Sequence, residues 1–171
     1  MSSVFSFIKL AFFLRISCYL RCMIALKQKI LDSARQSLSE KINQMNEQLA
    51  NIRLDAGAGG KSSMGDKYET TREMLKQEEE KVASQLELCN KQLSIVTKQA
   101  LKSYSQVQAG SLVRSESFYF MILTSIGKLT VDGKDIFIVS AVAPISKQLL
   151  GKKKGDSFSF NGKELVIDEL C

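Results

Sequence analysis

Asp66 and Glu69 stand three residues apart at the start of a long, proline-free stretch of alternating polar and apolar residues. On a helix that spacing places both carboxylates on one face. They matter because the chain of 171 residues contains no histidine. A Ser-His-Asp or Cys-His nucleophile pair, His-ligated zinc and an imidazole proton shuttle are thereby excluded. Acid–base or metal chemistry must draw on carboxylates, lysines, tyrosines or groups lent by a partner. The same two acids would also serve as ordinary favourable charges at a helix N-terminus. Cys18, Cys22, Cys89 and Cys171 contain no CxxC. Neither a disulfide framework nor an all-cysteine zinc site is indicated, and a reducing cytoplasm fits. The glycines of Gly57-Ala58-Gly59-Gly60-Lys61-Ser62 do not have GxxxxGK[ST] spacing, and no apolar strand precedes them, so a nucleotide site is rejected.

The elements that would carry the carboxylates follow from periodicity. Ile24, Leu31, Leu38, Met45 and Ile52 recur at heptad spacing, with Ile42 and Leu49 as a second row. After a glycine-rich break from Asp55 to Gly65, the pattern returns as Tyr68, Leu75, Val82, Cys89 and Val96, beside Leu86, Leu93 and Ala100. Two helices with solvated outer faces are predicted. Glycines supply the permissive backbone for a reversal between them. Folding the chain about Gly60 pairs Ile52 with Tyr68, Met45 with Leu75, Leu38 with Val82, Leu31 with Cys89 and Ile24 with Val96. The reading is an antiparallel coiled-coil hairpin over 23–106, tipped near 55–66, with arms roughly 40 Å long.

After Gln106 the period changes. Runs at 111–114, 117–125, 128–131, 134–140, 157–160 and 163–169 read as five or six strands. Asp132-Gly133 and Asn161-Gly162 supply hairpin turns. Pro144 opens a short helix that Gly151 stops. The expected fold is α+β, a helical hairpin followed by a small β-rich domain at 107–171. The Lys152–Lys154 run reads as a solvated turn rather than a binding patch.

Residues 1–22 are apolar and basic, with Lys9, Arg15, Arg21 and no acid. Lys9 and Arg15 interrupt the apolar run of a secretory signal or membrane span. The expectation is a leader upstream of a start at Met23, with a basic membrane-surface anchor as the alternative. These three charges are half of the formal +6. The remainder is too small to argue for general nucleic-acid binding, and a membrane partner is not expected.

The run from Ile138 through Ala143-Pro144-Ile145 and Leu149-Leu150-Gly151-Lys152 to Gly155-Asp156-Ser157-Phe158 resembles the C-terminal signature of the bacterial Gre transcript-cleavage factors. Gly110–Val113 and Gly162–Leu170 resemble that family's first and last strands. The resemblance implies an FKBP-like C-terminal domain, docking on RNA polymerase through Pro144 and Ile145, and a coil entering the polymerase secondary channel. It further implies tip carboxylates that help the polymerase hold a Mg²⁺ and cut backtracked RNA, meeting the nascent 3′ end only indirectly. No cofactor of the chain's own, no enzyme activity of its own and no independent sequence-specific nucleic-acid binding are implied. Asp66 and Glu69 are the candidate catalytic and metal-sharing residues. Matching Tyr68 to the family tyrosine places Lys61 and Met64 at the two key acids, and Asp66 and Glu69 about one and a half turns further on. Ala143 stands where a serine is usual. A channel regulator without cleavage, an FKBP-like prolyl isomerase and a coiled-coil adaptor are the alternatives.

Overall fold

The computed structural model describes residues 2–58, 65–116 and 118–171, with side chains for 21–56, 69–116 and 118–171. Helix α1 spans Ser2–Ala58 and helix α2 Gly65–Lys98. Strands follow as β1 Leu112–Ser115, β2 Phe118–Leu123, β3 Gly127–Val131 and β4 Lys134–Ser140, then helix α3 Pro144–Leu149. β5 Ser157–Phe160, β6 Lys163–Val166 and β7 Glu169–Leu170 complete the chain. This is the α+β arrangement of two long helices before a small β domain.

The helix of residues 23 onward does not begin at Met23. Its backbone runs back to Ser2, because nothing in 1–22 is a proline or glycine that would stop it. At the other end α1 passes through Gly57 and stops at Ala58. Among the described residues, no helix is long and apolar enough to cross a membrane.

By packing, the chain forms two units: Arg35–Ser94, and the residues up to Ala34 together with Ile95–Cys171. In the first, Leu49, Ile52 and Val82 are buried, with Met45, Leu75 and Leu86 packed against them. These residues are the seam expected of the antiparallel register. The partner proposed for Ile52, Tyr68, has its side chain outside the described residues.

In the second unit a five-stranded sheet has the order β3-β4-β2-β1-β7, and β5 pairs only with β6. The run 163–169 therefore is not one strand. It splits at Ile167-Asp168, so that β6 stays with β5 while β7 crosses to pair with β1. The seventh strand arises from this split. β2 and β4 are parallel and β3 lies outside them. Both dipeptide turns have two positive φ angles, 51° and 72° at Asp132-Gly133 and 51° and 77° at Asn161-Gly162. That is the turn geometry whose twist matches a hairpin.

Val113, Phe120 and Ile122 on one sheet face pack with Val107, Leu149, Phe158, Leu165 and Ile167. Phe120 stacks on Phe137 at 5.7 Å and meets Phe158 and Phe160 edge-on at 5.9 and 5.1 Å. Phe118 joins through Phe160 at 5.6 Å. The phenylalanines thus pack on one another rather than standing around a ligand. On the opposite face Leu112, Tyr119, Met121, Ile136 and Ile138 are also buried. A strand covered on both sides loses polar alternation, which explains the continuous apolar run of β2.

Gly110 closes the approach to β1. Its φ is +89°, and an added Cβ would collide with the Gln99 side-chain amide. Gly110→Ala is expected to cost about 1–2 kcal/mol from left-handed backbone strain, read from the urea midpoint at constant slope.

Candidate functional site

The two candidate loci lie at opposite ends of the sequence logic, one near the coil tip and one on the β domain. Glu69 sits in the first turns of α2 and is exposed. Asp66 lies on the same helix, with its side chain outside the described residues, as are Lys61 and Met64 altogether. Behind Glu69, the two arms enclose an open groove of about 570 Å³. Ile52, Ala56 and Leu75 give it an apolar floor, and Glu69, Arg72 and Glu73 stand at its edge. Arg53 Nε donates to Glu79 Oε1 at 2.7 Å, so that acid is engaged across the arms. Among the described residues no three or more His, Cys, Asp or Glu side chains gather as metal ligands.

The other locus is the segment between β4 and β5. Pro144 occupies the first turn of α3, where its missing N–H costs nothing. Ala143 is the N-cap and makes no side-chain capping bond. A serine there would supply one, so the alanine leaves first-turn N–H groups without that partner. Pro144 is exposed next to Val142, which is 76 % exposed. Ile145 is half-buried against the domain core. Of the two docking candidates, the geometry therefore offers Pro144 outward and commits part of Ile145 to packing.

The segment's other end is tied down. Gly151, at φ +80°, donates to the Val107 carbonyl at 2.8 Å, and Val107 donates to the Lys152 carbonyl at 2.8 Å. Lys152 Nζ donates to the Ser157 carbonyl. Lys153 and Lys154 are exposed, and the Lys153 N–H donates to Asp156 Oδ2 at 2.7 Å. The lysine run serves turn structure here, as its composition suggests.

Sequence reading missed Lys27. Its residue is fully buried on α1, although heptad logic assigns lysine to solvent. Nζ donates to the Lys102 carbonyl at 2.7 Å and lies 4.7 Å above the Tyr104 ring. Burial lowers the ammonium pKa from its ordinary value, partly offset by attraction to Cys171. Burial raises the Cys171 thiol pKa in turn, opposed by the Lys27 charge and a hydrogen bond with Ser103. The available signal was the neighbourhood: Met23, Leu26, Ile30, Leu31 and Ala34 are all buried, a stripe wider than a coil seam.

No protein-family model and no curated protein matches the chain. Solved structures do match. One is GreA factor homolog 1 (Gfh1) of Thermus thermophilus, 19% identical, covering 81% of this chain and 95% of that one at a TM-score of 0.33. Another, titled as a structure of the transcription factor Gfh1, is 17% identical, covers 81% of this chain and 93% of that one, and has a TM-score of 0.31.

Proposed function

We propose that this protein is an accessory transcription elongation factor of the Gre type, binding RNA polymerase and acting through its secondary channel. The observation that carries the reading is the Ile138–Phe158 signature. Its proline stands exposed at the start of α3, while Gly151 and Lys152 anchor the loop to the domain. The domain docks by the Pro144 loop, and the helical hairpin carries Asp66 and Glu69 toward the polymerase's own metal site. A Mg²⁺ supplied by the polymerase would provide Lewis-acid activation of phosphate and water there. This chain's share is negative charge. Asp66 and Glu69 would hold that ion jointly with the polymerase's own ligands, as carboxylate oxygens suit Mg²⁺.

The test is RNA shortening in a purified, backtracked polymerase complex. Binding with accelerated shortening supports the full reading. No binding sinks it. A second reading is favoured by one feature, the non-acidic Lys61 and Met64 at the positions where the family pattern carries its acids. Under it the factor binds the channel and regulates the polymerase without cleavage, and the same experiment separates the two.

A further inference from the structure

We propose that an exposed stripe of α2, from Thr71 to Leu88, is a self-association surface on which a second copy of this chain docks antiparallel. The inference is independent of the polymerase reading, and every residue it uses lies within the unit Arg35–Ser94. Thr71, Met74, Glu78, Lys81, Gln85 and Leu88 recur at alternating steps of three and four, which sets them along one side of the helix. That side is not the hairpin seam, whose α2 positions include Leu75, Val82 and Leu86. All of the stripe is exposed, with Met74 at 66% and Leu88 at 57%. An open groove of about 490 Å³ follows it past Thr71, Met74, Glu78 and Lys81. Large apolar side chains left in solvent two heptads apart are what a further helix packs against.

The charges name the occupant. A two-fold axis requires a surface complementary to itself. Laid antiparallel about an axis between Glu79 and Glu80, the stripe puts Glu78 opposite Lys81 of the second copy, and Lys81 opposite its Glu78. Both charges in the stripe are thereby matched. The same register sets Leu88 against Thr71 of the second copy and Met74 against its Gln85. Met74 and Leu88 of the second copy are then roughly 4.5 Å out of step, within reach of a flexible thioether. Sliding one copy to align them would set Lys81 against itself, so like-charge repulsion fixes the register. Within its own chain Glu78 accepts from the neutral Gln48 at 3.4 Å, a long contact for a hydrogen bond. On the opposite flank of α2, Arg72, Glu73, Lys76 and Glu80 offer no apolar anchor. The stripe is roughly 26 Å long, which places the contact at the low end of interface sizes and its Kd at ~10–100 µM.

The experiment is sedimentation equilibrium of the full chain from ~5 to ~200 µM, where a monomer–dimer equilibrium is expected. Glu78→Lys makes the centre of the contact uniformly positive and should raise Kd by about tenfold or more. Adding Lys81→Glu to it exchanges the two signs, re-forms both pairs and should return Kd to within about threefold of wild type. Met74→Ser with Leu88→Ser removes the apolar anchors and should leave monomer alone. These side chains are exposed, so helix content by circular dichroism should hold. Should the serine variant lose helix, the charge variant and its exchange decide. A wild type that is monomeric at the highest concentration overturns the proposal. A dimer indifferent to these substitutions, or an exchange that fails to restore it, overturns it too, because the copies then meet elsewhere. A monomeric wild type whose binding to polymerase is weakened by the serine variant assigns the stripe to that partner instead, which also overturns self-association.

Discussion

Asp66→Ala with Glu69→Ala is expected to lower the maximal rate of RNA shortening in a backtracked complex by about 10²-fold or more. Removing one preorganised electrostatic group from a reacting centre typically costs about 10²–10³-fold. Under the proposed function the two carboxylates act on one metal and so behave as a unit, and the single variants should each approach the double. Half-saturation should change by less than about twofold, because the Pro144 loop, through which docking is proposed, is untouched. Stability should also hold: Glu69 is exposed, and a first-turn acid contributes about 0.3–1 kcal/mol through the helix dipole. Glu69→Gln preserves size and hydrogen bonding while removing charge, and should fall with the alanine variants. Full cleavage by the double variant would show that these acids do no chemistry.

Phe120→Ala is expected to be the most damaging single change to the β domain, at about 3–5 kcal/mol by urea unfolding. Phe120 is 1% exposed and lies within 6.4 Å, ring to ring, of Phe118, Phe137, Phe158 and Phe160. Alanine leaves a cavity that the other rings cannot all close on, since Phe118 shares β2 with it, Phe137 is held on β4, and Phe158 and Phe160 are held on β5 in a separate sheet. Domain stabilities run about 5–15 kcal/mol, so this loss is a large fraction of the whole. A cost under about 1 kcal/mol would mean that the rings are not core. It would reopen the prolyl isomerase alternative, for which a proline-peptide turnover assay is the direct measurement. With the rings packed on each other, no turnover is expected.

The coil was legible because a heptad row needs only local spacing. Leu75, Val82, Leu86, Cys89, Leu93 and Val96 are buried or half-buried on α2, as the period predicts, while the burial of Gln92 and half-burial of Glu79 lie outside the predicted rows. The two dipeptide turns were legible for the same reason, since each needs positive φ at two adjacent residues. The split of 163–169 was not. Ile167 is fully buried like the strand residues around it, and nothing in its type says that the chain there leaves β5–β6 for β1. The candidate site divides in the same way. Glu69 at the start of α2 and Pro144 at the start of α3 follow from helix-start signals. The half-burial of Ile145 depends on a core assembled from six strands and a helix.

Composition alone removed histidine chemistry and left carboxylates, and the two apolar periods by themselves determined a helical hairpin followed by a β domain. Only the tertiary structure decided that β2 lies between β1 and β4, and that Lys27 is buried on the Lys102 carbonyl. The physical reason is range. Period and turn chemistry act between near neighbours, whereas a lysine's burial depends on a carbonyl and a ring 75 and 77 residues away arriving to compensate its charge.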